Sequence, residues 1–313
     1  MPPVPAEPDP DPGPDAVPAP PRRYLATGVG AGLILALVVP LGVVARRAPV
    51  PTTSAPTAAS VLEAAADAAE SAPATTPPPG RMRYVAARQV TLEAVPDGRR
   101  RSHLVRTGML TEEWIPADPG QPWTQHVRDD GPPQIWDERT RSYADAPPAP
   151  ASSWSARCGA YYPATGEDPC RRPGLWQDPT PAFVAGLPRD PAALLARLRA
   201  DTSGGDDQEV LAYAAQALSR DLLPPHVRAT VYRALALLPG LTVTEPRFLL
   251  GGRTGTALGL DRDGARLDIV VDDTGAYLGS VRRLTAPRDG LAAGTVTDTT
   301  AITTGVARRG ETP

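Results

Sequence analysis

The strongest pattern in the chain is an unbroken run of apolar and small residues at positions 24–45, which contains no charged side chain. A pair of arginines flanks the run at each end. A helix of this length is ~33 Å long and crosses the ~30 Å hydrocarbon core of a bilayer. The pattern therefore predicts a single transmembrane helix at residues 24–45.

A cleaved export signal is the alternative to a retained anchor. Arg22-Arg23 followed by Tyr24-Leu25 resembles the start of a twin-arginine signal. However, the apolar run is longer than the ~7–15 residues of a usual signal peptide. No clear small-residue cleavage site follows at residues 44–46. The pattern thus favours an anchor that stays in the mature protein.

The segments around the span predict its orientation. Residues 1–23 carry ten prolines and almost no apolar side chain, a composition that predicts a disordered cytoplasmic tail. The two cysteines, Cys158 and Cys170, both follow the span, in a stretch rich in proline and glycine. Their spacing favours a disulfide formed in an oxidising compartment, with two separate buried thiols as the alternative. The protein is then a single-pass protein of the cell membrane with a cytoplasmic N-terminus and an extracytoplasmic C-terminal part.

Residues 46–80 form the predicted connection between the span and the folded domain. They begin with a linker rich in proline and threonine. Ser60 and Glu63 have the spacing of a capping box at the start of a short alanine-rich helix. We expect this helix to be a stalk that leads into an extracytoplasmic domain at residues 81–313.

Alternating apolar and polar positions predict strands in the first part of this domain. Five strands are expected, at residues 82–95, 99–114, 123–127, 134–136 and 141–143. Pro96-Asp97-Gly98 predicts a hairpin turn between the first two. Residues 144–181, which contain both cysteines and many prolines, predict an irregular segment.

A helical spacing of apolar positions follows. Asp190 before Pro191 is a typical helix start, and further helices are expected at Asp207–Leu222 and Pro225–Leu238. Alternation then returns and predicts strands at residues 255–260, 265–271, 276–284 and 295–306. The residues Leu267, Ile269 and Val271 share one strand face, which we expect to pack on the helices. The predicted class is α+β, a curved antiparallel sheet with a helical insert of about three helices.

Composition narrows the function classes. The chain has neither lysine nor asparagine, which excludes a Schiff-base lysine, a P-loop lysine and an N-glycosylation site. Its net charge of -3 does not predict binding to nucleic acid. His103, His126 and His226 are far apart and have no metal-binding spacing. We expect no enzymatic activity, no cofactor and no metal.

Five tryptophans fall between Trp114 and Trp176. Trp114, Trp123 and Trp136 are on or beside predicted strands, where they either line an apolar groove for a lipid or a glycan or form the core of a phenylalanine-poor domain. Glu112 and Glu113 are adjacent in a predicted strand and therefore point to opposite faces, which excludes a catalytic carboxylate pair.

Several short motifs carry a resemblance to a known family; they are Thr111–Trp114, Leu187–Pro191, Val231–Leu235, Leu238–Gly240 and Gly305-Val306. On these residues, from about Ser60 to the C-terminus, the chain resembles an actinobacterial family of single-pass membrane proteins of uncharacterised function, often found near extracytoplasmic-function sigma factors. The order of elements is also similar to periplasmic lipoprotein-carrier and sigma-regulator sensor domains. The resemblance implies a sensing or anti-sigma-like role. The short proline-rich tail departs from an anti-sigma protein, because it cannot form a folded cytoplasmic domain.

Together these patterns predict a membrane-anchored, extracytoplasmic binding or sensing module of the bacterial cell envelope that is not an enzyme. Its expected partners are the lipid bilayer and a lipid or envelope-protein ligand. The alternatives are a structural or assembly protein of the envelope and an anti-sigma-like regulator that lacks a folded cytoplasmic domain.

Overall fold

The computed structural model describes residues 55–73, 76–96, 102–137, 142–162 and 168–313. The predicted tail at 1–23, the predicted span at 24–45 and the turn at Asp97-Gly98 lie outside these residues. Of the helices in the described part of the chain, none has the length and apolar character needed to cross a membrane.

The described residues form five helices and eleven strands in an α+β arrangement, as predicted. The first helix, α1, is Ala58–Ser71, and the strands that follow are β1 (Met82–Pro96), β2 (Ser102–Ile115), β3 (Pro122–Asp129), β4 (Gln134–Asp137), β5 (Ser142–Asp145) and β6 (Ser152–Arg157). Four helices come next, α2 (Pro181–Ala185), α3 (Pro191–Asp201), α4 (Asp207–Ser219) and α5 (Pro225–Ala236). The last strands are β7 (Thr242–Leu250), β8 (Arg253–Arg262), β9 (Ala265–Val271), β10 (Tyr277–Leu284) and β11 (Val296–Ala307).

The strands form a single antiparallel sheet with the order β5-β4-β2-β1-β11-β10-β9-β8-β7. One edge of β2 is shared: residues 109–114 pair with β3, and residues 105–106 pair with β4. The sheet therefore forks at β2, and β6 extends the second branch by pairing with β3. At the centre, β11 pairs with both β1 and β10 and so joins the N-terminal and C-terminal strands.

The main core lies between the helices and one face of the sheet. Leu267, Ile269 and Val271 belong to this core together with apolar residues of α3, α4 and α5, which confirms the prediction that their face packs on helices. On the opposite face, alternate positions such as Val270 form a smaller cluster with Leu250 and Leu278. The period of two along β9 thus separates the two layers of packing.

The alanine-rich helix α1 is part of the fold rather than a stalk. Leu62 and Ala66 are completely buried in the main core, and Arg233 of α5 contacts three acidic residues of α1. The described residues of α1 and of the domain therefore form one compact unit, and the boundary expected at residue 81 falls before α1 instead. The helix also begins earlier than predicted, because the N-cap is Thr57, whose side chain accepts a hydrogen bond from the Ser60 backbone.

Three elements were missing from the sequence prediction. The strand β6 has the sequence SSWSAR, in which apolar residues do not alternate clearly enough to indicate a strand. The strand β7 contains Pro246 and two register shifts, and these interrupt its period. The helix α2 is only five residues long, so the helical insert has four helices instead of about three.

Candidate functional site

The structure does not bring together the three tryptophans of the predicted groove. The register of β2 and β3 pairs Trp114 with Thr124, so that Trp114 and Trp123 lie on opposite faces of the sheet. Both rings are buried, with 1% and 4% of their surfaces exposed. Trp136 lies on β4, in the other branch of the fork. Trp114 and Trp123 thus contribute to the packing of the domain on opposite sides of the sheet, and the three rings do not line one common groove.

The adjacent carboxylates Glu112 and Glu113 point to opposite faces, as predicted. Glu112 accepts a hydrogen bond from the Tyr84 hydroxyl at 2.7 Å, and burial together with this bond raises the pKa of Tyr84 well above its usual range. Glu113 accepts hydrogen bonds from Arg220 and from Gln125, both at 3.1 Å. Each carboxylate is thus occupied by a structural partner.

The histidines are not brought together either. His126 packs its ring on Trp114, with 4.7 Å between the ring centroids, and His226 lies in the first turn of α5. Within the described ranges, no group of three histidine, cysteine, aspartate or glutamate residues is placed so that it could hold a metal ion.

The two cysteines form a disulfide, Cys158–Cys170, with 5.3 Å between their Cα atoms. Cys158 directly follows β6 and has a positive φ of 56°, and Gly159 continues this turn with φ 64°. A Cβ atom at Gly159 would overlap the ring of Trp123. Gly159 therefore allows the backbone of the disulfide loop to lie directly against the tryptophan.

Arg172 fixes the other side of this loop. Its Nη2 atom donates a hydrogen bond to the carbonyl oxygen of Cys158 at 2.8 Å, and its Nη1 atom lies 2.6 Å from the Asp178 carboxylate. The disulfide and this ion pair together connect the two described parts of this segment, residues 158–162 and 168–178. The segment was predicted to be irregular, and these cross-links give it a defined position.

A cleft of about 730 Å³ opens between this segment and the helices. Its walls come from the β2–β3 loop, the disulfide loop, the turn between α2 and α3, and the N-terminal end of α5. Its volume lies within the ~300–1,000 Å³ that is typical of sites for small ligands. This cleft is the best candidate for a functional site in the part of the chain that the structure describes.

The floor of the cleft is apolar. Ile115, Trp123, Leu187 and Val227 line it, and each of them is buried in the main core. Prolines form much of the rim, at Pro119 in the β2–β3 loop and before or within the first turns of three helices. Because proline fixes the backbone φ angle, these corners of the cleft are stiff, and the cavity is preformed.

The charged side chains of the cleft are mostly basic. Arg83, Arg172, Arg189 and His226 line it, with Asp178 as the one acidic lining residue among those described. Arg172 and Asp178 neutralise each other through their ion pair. Arg189 and His226 are exposed at the mouth. The cleft therefore presents a basic rim above an apolar floor.

A smaller cleft of about 390 Å³ adjoins the first, since Arg83, Leu222 and Pro224 line both. It contains Asp221, whose carboxylate accepts a hydrogen bond from Arg228 at 2.9 Å. Burial raises the pKa of Asp221 above the ordinary aspartate value, although Arg228 and Arg83 oppose this shift. Behind the main cleft, the carboxylate of Asp221 therefore lies close to the guanidinium groups of Arg228 and Arg83.

The cleft has no recognisable signature in the sequence. Its lining residues are spread from Thr76 to Thr230, and none of them forms a motif by itself. The one signal in the sequence was the repeated proline at the N-terminal ends of helices, which was interpreted as a helix start and not as the edge of a cavity.

Comparison with protein-family models, with curated proteins and with solved structures finds no match to this chain. The resemblance to an actinobacterial membrane-protein family and to periplasmic carrier and sensor domains therefore stays a prediction. The function has to be inferred from the sequence pattern and the cleft.

Proposed function

We propose that this protein is a membrane-anchored binding or sensing module of the bacterial cell envelope, with a transmembrane helix at residues 24–45 and an extracytoplasmic domain that binds its ligand in the cleft. The observation that carries the proposal is the cleft itself, a preformed cavity with an apolar floor, of a volume suited to a small ligand. Binding is favoured when a ligand covers apolar surface of this kind, because that surface is removed from water.

The proposed location is supported by the disulfide and by the apolar run. A disulfide between cysteines twelve positions apart persists in oxidising compartments such as the space outside the bacterial cytoplasm. The uncharged run at residues 24–45 has the length of a membrane span. A single span places the disulfide and the cleft on the far side of the membrane from the tail.

The proposed activity is binding and not catalysis. Of the titratable groups in the cleft, the guanidinium groups stay protonated at all physiological pH values, and Asp178 is held by Arg172. Among the described residues, no carboxylate and no nucleophilic side chain forms a hydrogen bond with the imidazole of His226. This set of side chains can hold a ligand but provides no matched acid and base.

Native purification with mass spectrometry tests the proposal. The full-length chain is extracted from its own membranes, and the intact complex is examined for a bound small molecule. We expect a ligand that co-purifies with the wild type and is lost from an Ala185→Trp variant, because Ala185 is exposed at the end of α2 and lines the cleft.

An Ala182→Trp variant is the matched control, since Ala182 is exposed on the same helix but does not line the cleft. It should retain the ligand. A wild-type protein that carries no ligand, or two variants that lose the ligand equally, would contradict a binding function of the cleft.

A further inference from the structure

We propose that the ligand of the cleft is a single-chain lipid with an anionic head, whose hydrocarbon chain covers the apolar floor and whose head lies at the basic mouth. This inference rests on the proposed binding function and adds the chemical class of the ligand.

The floor favours an alkyl chain over a sugar or a proline-rich peptide. Sugars and proline-rich peptides bind on the exposed faces of aromatic rings. Trp123 is the one Trp, Tyr or Phe residue among the described lining residues, and only 4% of its surface is exposed because it lies under Gly159. The accessible wall is instead made of aliphatic side chains and prolines that are at least partly exposed, such as Pro119, Val184 and Leu222.

The mouth favours a negative charge. The Arg172–Asp178 pair is set aside, and so is Arg83, which donates a hydrogen bond to the carbonyl oxygen of Asp221. The charged lining residue at the mouth is then the exposed Arg189, with His226 beside it. Asp190, the acid next to Arg189, caps α3 by accepting a hydrogen bond from Ala193 and does not line the cleft. The chain as a whole carries a net charge of -3, so a basic mouth is a local feature and not a reflection of the overall composition.

The start of α5 reinforces this charge. Pro224 is its N-cap and provides no side-chain hydrogen bond, and the first turn contains no acidic residue. The partial positive charge of the helix end is therefore not compensated by a capping carboxylate. Since Pro224, His226 and Val227 all line the cleft, this end of the helix faces the same space as Arg83 and the exposed Arg189.

The volume limits the ligand to one chain. At about 730 Å³, the cleft falls in the ~300–1,000 Å³ range that suits ligands of a few hundred daltons. A single-chain fatty acid is of this size, whereas a diacyl phospholipid is considerably larger.

Photoaffinity labelling separates this inference from the proposed function. The full-length chain is placed in phosphatidylcholine nanodiscs and exposed to a long-chain fatty acid that carries a diazirine, or to the methyl ester of the same fatty acid. The two probes share the chain and differ in the charge of the head. We expect the acid to label cleft peptides about tenfold more strongly than the ester. One charge-assisted hydrogen bond to the carboxylate head would increase the affinity by about this factor.

Two matched variants test the role of the mouth. Arg189→Gln should reduce labelling by the acid about three- to tenfold and leave labelling by the ester unchanged. Arg171→Gln removes the same charge from an exposed residue of the disulfide loop that does not line the cleft, and it should change neither.

Equal labelling of the cleft by acid and ester, or a loss with Arg171→Gln as large as that with Arg189→Gln, would overturn the anionic head while the binding function stands. Failure of both probes to label the cleft would overturn the lipid class as well. If native mass spectrometry also showed no bound ligand, the proposed binding function would be overturned together with the lipid class.

Discussion

At the scale of single residues, Trp123 illustrates how one side chain connects the core to the cleft. Its ring lies on the helix-facing side of β3, under Gly159 and beside the disulfide. Its indole nitrogen donates a hydrogen bond to the carbonyl of Pro119 at 3.0 Å. The ring therefore fixes both the β2–β3 loop and the disulfide loop, which are two walls of the cleft.

Replacing Gly159 with alanine should loosen this arrangement. The added methyl group would overlap the Trp123 ring at a position whose φ is 64°. Overpacking of this kind costs about 1–3 kcal/mol, and we expect the free energy of unfolding in urea to fall by that amount. Gly131→Ala is the control, since Gly131 also has a positive φ, of 91°, but has nothing near an added Cβ atom. An equal loss in both variants would show that the contact with Trp123 contributes nothing.

Glu113 is a second residue whose contribution to stability depends on its environment. Only 3% of it is exposed, and it accepts hydrogen bonds from Arg220 and Gln125. Glu113→Ala should lower the free energy of unfolding by about 1.5–3 kcal/mol, because the partly exposed Arg220 and the amide of Gln125 both lose their buried acceptor. Arg88→Ala breaks the exposed pair with Asp130 and should cost at most about 1 kcal/mol. Thermal unfolding of both variants measures the contrast, and a small effect of Glu113→Ala would contradict this account.

At the scale of elements, helices and strands with a clear hydrophobic periodicity could be predicted from the sequence, and those with a weak periodicity could not. The strand β9 was predicted with the bounds it has, Ala265–Val271, because its turns and its apolar face are both clear in the sequence. The strand β6 was missed because its pairing with β3 depends on a partner about thirty residues away. The helix α1 was predicted, but its burial was not, since a run of alanines has the same sequence pattern in a stalk as in a core.

Leu62→Ala tests whether α1 is part of the fold. Leu62 is completely buried in the main core, and its loss leaves a cavity that costs about 2–5 kcal/mol. Ala64→Ser changes an exposed position of the same helix and should stay within about 0.5 kcal/mol of the wild type. Denaturant unfolding of the full-length chain measures both. Two equally small effects would restore the interpretation of α1 as a separate stalk.

At the scale of the whole molecule, two long-range connections determine the architecture. The strand β11 pairs with β1 and β10 and so connects the beginning and the end of the described sheet. The disulfide connects the residue that follows β6, Cys158, to Cys170, and both cysteines line the cleft. Local sequence indicated the disulfide, because its cysteines are twelve positions apart. It cannot specify the pairing of β11 with β1, which joins residues from opposite ends of the described domain.

Removal of the disulfide should affect stability and ligand binding together. Closing a ring of about this length contributes ~3 kcal/mol through the entropy of the unfolded chain. A variant with Cys158→Ser and Cys170→Ser should lose about that much free energy of unfolding and should retain less ligand. Wild-type protein treated with a reductant should behave like the variant, and the variant should not respond to the reductant. A double variant as stable as the wild type would refute a structural role of the bridge.

The proposed orientation has its own test in intact cells. After brief reduction, a maleimide that does not cross the membrane should label Cys158 and Cys170, because they are the chain's two cysteines and lie on the proposed outer side. A cytoplasmic thiol protein in the same cells serves as the control and should stay unlabelled. Labelling that occurs only after the cells are opened would place the domain inside.

The sequence by itself determined the α+β class, the main strands and helices and the cysteine pair, because each of these depends on the order of residues over a short distance. The span at residues 24–45 stays a prediction. Only the tertiary structure decided that α1 lies in the core, that Trp114 and Trp123 lie on opposite faces, and that residues from Arg83 to Val227 meet around one cleft. Strand register and helix packing set these positions, and both depend on contacts between segments far apart in the chain.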